Sequence, residues 1–134
     1  MSGARFLLDR SVGGRLLIAR LKQAGWDART LAEEYGDIRA QAMLDDEWIS
    51  AGSGSGFILL TKDHRIARRP LEALAISQHN ARAIAFSRGD LTAEQMGDLC
   101  IAHEAAIHRL ASVAPPFVFS LSRVGLTRKH LNVQ

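Results

Sequence analysis

Three aspartates stand at positions where their carboxylates could do chemistry together. Asp9 and Asp63 each follow a short apolar run, and Asp45 opens the segment Asp-Asp-Glu-Trp-Ile. Carboxylate oxygens gathered in one place are the ligands that a hard divalent cation such as Mg²⁺ prefers in proteins. Because like charges raise one another's pKa, such a cluster also needs a cation to be stable.

The elements that must position these aspartates are short apolar runs that alternate with helical patterns. The predicted strands are residues 5–9, 26–31, 57–60, 82–86 and 117–121. The predicted helices run from residue 12 to Gly25, from Asp45 or Asp46 to Ala51, from Pro70 to Asn80, and from the Thr92–Gln95 capping box to Leu110. Residues 33–44 are predicted as a loop with at most one helical turn. This alternation predicts an α/β fold of three α/β/α layers, with a mostly parallel sheet of about five strands.

The predicted sheet brings the aspartates to one edge. In open parallel sheets, ligands collect outside the carboxyl ends of the strands, where Asp9 and Asp63 lie. Asp45 joins them if its helix begins at that edge. Each acid also has a structural interpretation, because Asp is common in turns and as a helix N-cap. If Asp45 is only a cap, Asp46 or Glu47 could be the functional acid instead.

Composition sets wide limits on function. The chain has 134 residues, 47% of them hydrophobic, which predicts one packed domain. Its net charge of +3 is compatible with a polyanionic partner but does not require one. Cys100 is the single cysteine, so an intrachain disulfide and a cysteine zinc cluster are excluded. No signal peptide or membrane span is predicted, so we expect a cytoplasmic protein without a membrane partner.

Other motifs favour structural interpretations. His103 and His108 are five residues apart, which places them on different faces of a helix and disfavours a zinc-protease site; His103 is expected at the core edge and His108 at the surface. The run Gly52–Gly56 lacks the Lys-Ser/Thr of a P-loop. Cys100 is expected in the core. Trp48 is expected to anchor its helix rather than to stack on a base.

Four segments around the aspartates match the pattern of a known family. They are Phe6-Leu7-Leu8-Asp9, Gln23-Ala24-Gly25-Trp26-Asp27, Asp45-x-x-Trp48-Ile49 and Leu60-Thr61-Lys62-Asp63-His64-Arg65-Ile66. Together they resemble the PIN-like nucleases, and more narrowly the VapC-type toxins of bacterial toxin–antitoxin pairs. The resemblance covers residues 5 to 87 in order and spacing. With the basic residues that follow the last predicted strand, we expect a PIN-like nuclease domain, residues 1–122, and a basic C-terminal tail, residues 123–134.

The resemblance implies a Mg²⁺- or Mn²⁺-dependent ribonuclease that a cognate antitoxin blocks. Asp9, Asp45 and Asp63 fall on the acidic positions of the family. The implied reaction is metal-assisted hydrolysis of RNA phosphodiesters, which needs no side-chain nucleophile. A homodimer is plausible, since apolar helical faces would otherwise be exposed. The RNA target, the antitoxin type and the oligomeric state do not follow from the residues.

The chain departs from the fuller PIN pattern at Arg65, where many PIN domains carry another acid. A fourth ligand would then come from Asp46 or Asp90, or the cation would keep more water, and the number of metal ions stays open. The cations next to the acids are candidate contacts for RNA phosphates, with a solvated basic surface as the alternative. These cations are Arg10, Lys62 and Arg65.

Two other function classes place acids at the same kind of sheet edge. A receiver-like phosphoacceptor domain would carry an acidic pair after the first strand and a Lys after the last, but Arg10 follows Asp9 and residues 117–122 contain no Lys. A non-catalytic PIN-like binding module, in which the acids hold a basic segment of a partner, stays open because fold does not fix function. The basic tail could equally contact RNA or a partner, or be a frayed end.

Overall fold

The computed structural model describes residues 3–12 and 15–133 and contains one mixed sheet. Its strands are β1 (Arg5–Leu8), β2 (Asp27–Thr30), β3 (Ile58–Thr61), β4 (Arg82–Phe86), β5 (Phe117–Ser122) and β6 (Gly125–Lys129). Their spatial order is β2-β1-β3-β4-β5-β6. All neighbouring pairs are parallel except β5 and β6, which confirms the mostly parallel sheet.

The helices connect these strands. They are α1 (Arg15–Gln23), α2 (Leu31–Tyr35), α3 (Asp37–Ala42), α4 (Asp45–Gly54), α5 (Pro70–Gln78), α6 (Ala93–Ala102) and α7 (Glu104–Arg109). Within the described part of the chain, none is long and apolar enough to cross a membrane. The predicted loop 33–44 is mostly helical, because Thr30 and Glu33 form a capping box that starts α2. The single long helix predicted after Thr92 is broken at His103, where φ is −117°.

Side-chain alternation along the strands produces two cores. Phe6 and Leu8 on β1 pack into a cluster with α1, α6 and α7, and Leu7 between them packs into a cluster with α4 and α5. Successive strand residues point to opposite faces, so a strand buried on both sides is apolar throughout. The sheet therefore carries helices on both faces, which confirms the three-layer architecture.

The strand β6 was not predicted from the sequence. It lies where we predicted a basic tail, and it pairs antiparallel with β5 from Gly125 opposite Ser122 to Lys129 opposite Val118. Thr127, Arg128 and Lys129 are exposed, so the segment has no apolar alternation that would indicate a strand. An edge strand can be this polar because one side and much of one face meet water. Over residues 125–129 the predicted tail is thus part of the sheet.

The strand order fixes where the functional edge lies. β1 pairs with β2 on one side and with β3 on the other, so the chain winds outward in both directions from this point. Connections on opposite sides of the reversal leave a crevice outside the carboxyl ends of the two strands. Asp9 follows β1 and Asp63 lies two residues past the end of β3, at that crevice.

Candidate active site

Asp9 is held at the carboxyl end of β1 by three hydrogen bonds. Its Oδ1 accepts from the backbone N–H of Arg10 at 2.7 Å, and its Oδ2 accepts from the hydroxyls of Ser11 and Thr61 at 2.9 Å each. Its own N–H donates to the carbonyl of Leu60 at 2.9 Å, which continues the β1–β3 ladder. Donors on both oxygens fix the carboxylate in one orientation, as a metal ligand or catalytic acid requires.

Thr61 joins Asp9 to the turn that carries Asp63. Its side chain is fully buried, and its Oγ1 donates to Asp9 and accepts from the N–H of Asp63 at 3.1 Å. The hydroxyl of Ser11 accepts from the N–H of Lys62 at 3.0 Å. Sequence reasoning used Thr61 as part of a motif but assigned neither hydroxyl a role. The signal was present, because Asp-x-Ser and Thr-x-Asp each place a hydroxyl two residues from an acid.

Asp45 is the first residue of α4, and the cap position before it is Leu44. The prediction that Asp45 or Asp46 caps this helix is therefore wrong. Instead, Oδ1 of Asp45 accepts a hydrogen bond from the indole N–H of Trp48 at 3.3 Å. Trp48 is 2% exposed, which confirms it as an anchor. The Asp-x-x-Trp spacing thus ties an exposed carboxylate to a buried ring one helical turn away.

The electrostatics link Asp9 with Asp45. Burial raises the pKa of Asp9 above its ordinary value, and the negative charge of Asp45 adds to that rise. Hydrogen bonds from Ser11, Thr61 and the Arg10 backbone oppose it. Burial and a neighbouring negative charge both penalise an ionised carboxylate, and a cation between the two acids would relieve both penalties.

The carboxylate of Asp63 makes its hydrogen bonds within residues 63–69 rather than with the other two acids. Its Oδ2 accepts from a guanidinium N–H of Arg69 at 2.9 Å, and its Oδ1 accepts from the N–H of Arg65 at 3.0 Å. The second bond, from a backbone group two residues on, is the local turn that was the structural alternative for this residue. The charge of Asp63 is therefore already balanced by Arg69.

Asp9 and Asp45 are the predicted acids whose donor chemistry suits a divalent cation. No three acids, histidines or cysteines among residues 3–12 and 15–133 lie close enough together to hold a metal ion. Mg²⁺ needs only one or two protein carboxylates, since it keeps several waters. The charges of Asp9 and Asp45 interact, and both side chains offer hard oxygen donors, whereas Asp63 would have to leave Arg69 to join them.

The other predicted residues lie around this centre. Asp46 is exposed on α4, and Asp90 forms an ion pair with Arg88 at 3.0 Å, so neither supplies a fourth acid here. The guanidinium of Arg10 donates to the carbonyls of Gln41 and Met43 at 2.6 and 3.3 Å, which braces the chain leading to α4. Lys62 and Arg65 make no side-chain hydrogen bond or ion pair with the described residues.

The other residues considered from the sequence have structural contacts. Cys100 is fully buried, as predicted, and burial raises the pKa of its thiol to about 12. His103 lies beside the β5–β6 turn with its Nε2 3.1 Å from the carbonyl oxygen of Arg123. His108 was expected at the surface but packs edge-on against Trp26 and Phe6, with ring centroids 4.6 and 5.1 Å away.

Comparison with known proteins places these observations in a family. The family described as "PIN like domain" matches residues 4–88. A curated relative, named "Putative ribonuclease VapC45" of Mycobacterium tuberculosis (strain ATCC 25618 / H37Rv), is 34% identical over 114 residues. That alignment covers 85% of this chain and 83% of the relative. No solved structure matches the chain.

Proposed function

Because the chain belongs to the PIN-like domain family, we propose that it is a ribonuclease, the toxin of a toxin–antitoxin pair. The observation that carries the proposal is the Asp9 carboxylate, oriented by two hydroxyls at the strand-order reversal with the charge of Asp45 beside it. This arrangement suits the capture of a divalent cation at an edge where substrates bind. Metal-assisted hydrolysis of this kind needs no protein nucleophile.

Each residue at this edge has a proposed task. Asp9 and Asp45 would hold Mg²⁺ or Mn²⁺, and Asp63 would become a third ligand when its pair with Arg69 opens. The bound cation would lower the pKa of a water and offset charge on the attacked phosphate. Ser11 and Thr61 keep Asp9 in its orientation. Lys62 and Arg65, whose side chains are unpaired among the described residues, would contact RNA phosphates.

The partners follow from the same assignment. The substrate is RNA, and a cognate antitoxin protein would block the acid edge or hold the chain in an inactive complex. A homodimer and a cytoplasmic location remain predictions. Exposed Leu16, Ile38, Leu44 and Leu71 offer apolar surface for such contacts.

The test is cleavage of an end-labelled RNA by purified protein with Mg²⁺, with Mn²⁺ and with EDTA. Wild type should cut only with a divalent cation. Asp9→Asn should lower the cleavage rate at least about 100-fold, since it removes an anionic ligand without changing shape. Asp27→Asn is the matched control, because Asp27 is an exposed acid at the start of β2, on the opposite edge of the sheet.

Two results would overturn the proposal. One is the absence of cleavage by wild type with either cation on any of several RNAs, with the antitoxin removed. The other is cleavage by Asp9→Asn at the rate of Asp27→Asn, which would place the activity elsewhere or in a contaminant. Circular dichroism of each variant confirms that it is folded.

A further inference from the structure

A second feature of the carboxyl edge is a cleft of about 680 Å³ at the ends of β4 and β5. Ser87 follows β4 and Ser122 ends β5, so the cleft opens on the same edge as Asp9 and Asp63. Its other wall is α6, and Arg123 and Val124 of the β5–β6 turn close one end. Most of the lining lies beyond residue 88, where the family match ends.

The charges of this cleft favour an anion. The guanidinium of Arg123 is exposed and has no hydrogen-bond or ion-pair partner among the described residues. The carboxylate of Asp98 is in an exposed ion pair with Arg20 at 2.6 Å. Arg88 is also at the cleft, in an exposed ion pair with Asp90, and water weakens both pairs. The cleft therefore presents one unpaired cation, Arg123, whereas its Arg88 and Asp98 each have an exposed partner of opposite charge.

The turn that carries Arg123 is held in place. Nε2 of His103 lies within hydrogen-bond distance of the Arg123 carbonyl, at 3.1 Å. His103 also faces Gly125, where an added Cβ would lie 3.8 Å from its ring. The guanidinium of Arg123 thus projects from a turn fixed against the α6–α7 junction, which lowers the entropy lost on binding.

The walls of the cleft offer apolar and planar surface as well. Leu91 and Leu99 lie along it, and the ring of His103 forms part of the same wall. A nucleotide presents both kinds of surface, since its base has an apolar face and its phosphate carries charge. Proteins that bind single-stranded nucleic acid combine a basic groove with rings on which bases stack, and His103 supplies the ring in this cleft.

The cleft lies near the acid edge. Neighbouring strands lie about 4.8 Å apart, so the midpoint between β4 and β5 is roughly 7 Å from β3 along the edge. The loops that follow β3 and β4 touch, because Nδ1 of His64 lies 3.6 Å from the position a Cβ would take at Gly89. A strand of RNA leaving Asp63 can therefore reach the cleft directly.

We propose that this cleft binds an RNA nucleotide next to the bond being cut. Arg123 and Arg88 hold its phosphate, and its base lies against Leu99 and His103. The inference rests on the proposed ribonuclease function and names the part of the molecule that holds the RNA strand while the acids act on it.

The test is binding of a fluorescent single-stranded RNA hexamer in EDTA, followed by anisotropy at several salt concentrations. Arg123→Ala should raise the Kd roughly tenfold and reduce the slope of log K against log salt by about 0.7, the loss of one phosphate contact. Arg123→Lys should keep the slope and most of the affinity. Arg109→Ala is the control, because Arg109 is an exposed cation on α7, outside the cleft.

A variant that should bind RNA more tightly provides a second test. Asp90→Asn releases Arg88 from its ion pair and should tighten RNA binding by about threefold. The inference is overturned if Arg123→Ala and Arg109→Ala bind RNA equally, or if Asp90→Asn weakens binding. If wild type still cleaves RNA with a divalent cation in that case, the ribonuclease function holds and only the cleft is overturned. RNA binding through Arg123 without cleavage would support RNA binding by the cleft but overturn the ribonuclease and, with it, the placement of the nucleotide beside a cut bond.

Discussion

The two halves of the carboxyl edge differ in the charges that they leave unbalanced. At the ends of β1 and β3, Asp9 is partly buried, oriented by hydroxyls, and repelled by Asp45. At the ends of β4 and β5, the acids are ion-paired and the unbalanced charge is the guanidinium of Arg123. We propose that one half receives a cation and the other an anion, which would divide one sheet edge into a reaction half and a recognition half.

The largest expected effect comes from Asp45 in the reaction half, with its neighbour Asp46 as the control. Asp45→Asn should lower kcat by about 100-fold or more, because Asp45 is the acid whose charge reaches Asp9. Asp46→Asn should change kcat by less than about twofold, since Asp46 is exposed and makes no described contact. Cleavage rates at saturating RNA measure both. Equal losses in the two variants would break the assignment of Asp45.

The next effect tests the hydroxyl that orients Asp9. Thr61→Val keeps the shape but removes a donor to Asp9 and leaves the N–H of Asp63 without its acceptor. We expect about a tenfold loss of kcat and roughly 1–2 kcal/mol of unfolding free energy. Urea unfolding and cleavage assays measure the two. Thr127→Val, on the exposed face of β6, is the control, and an equally small effect of both substitutions would remove Thr61 from the site.

A smaller effect concerns the guanidinium that balances Asp63. Arg69→Gln should lower the Kd for Mn²⁺ by about threefold, because the cation no longer competes with Arg69 for that carboxylate. Arg68→Gln, next to it in sequence and exposed, should leave the Kd unchanged. Calorimetric titration without RNA measures both values. A higher Kd in Arg69→Gln would mean that Arg69 supports the metal site instead of competing with it.

The smallest effect tests the rigidity of the recognition half. Cys100 lies on α6, behind the cleft wall, and burial raises its pKa to about 12. At pH 8 the thiolate fraction would be about 10⁻⁴, so iodoacetamide should not label the folded protein over an hour. Labelling in urea is the positive control. Fast labelling without urea would show that α6 opens and that the cleft is not a fixed surface.

The fold was largely predictable because its buried strands are apolar on both faces. Residues 5 to 87, where the family resemblance was identified, agree with the family match over residues 4–88. The prediction failed where tertiary contacts outweigh the pattern. β6 is polar because it lies at an edge, and α2 depends on a side-chain cap that starts a helix in a polar segment.

The position of the site could be predicted from the sequence, but the side-chain contacts within it could not. Strand ends placed Asp9 and Asp63 at one edge, since sheet topology determines position. Side-chain partners come from residues far apart in sequence, such as Thr61 bonded to Asp9 and Arg10 bonded to the carbonyl of Gln41. No local pattern reports such contacts. The pairing of Asp63 with Arg69 was missed for a different reason, because spacing alone does not tell a ligand from an ion pair.

The strand order by itself does not decide the function. The order β2-β1-β3-β4-β5 is also that of flavodoxin-like and receiver domains, which bind ligands at the same reversal. The residues separate these classes, because Arg10 follows Asp9 and β5 ends in Ser122 with no lysine. Function therefore rests on the side chains at the edge, together with family membership.

The most direct test of a metal site at Asp9 is the binding of Mn²⁺ to the protein without RNA, measured by calorimetry for wild type, Asp9→Asn and Asp27→Asn. Wild type and Asp27→Asn should bind Mn²⁺ saturably. The Kd should be at least about 100-fold higher for Asp9→Asn, because the oriented carboxylate is lost. Binding of Mn²⁺ by Asp9→Asn as tightly as by wild type would contradict a metal site at Asp9.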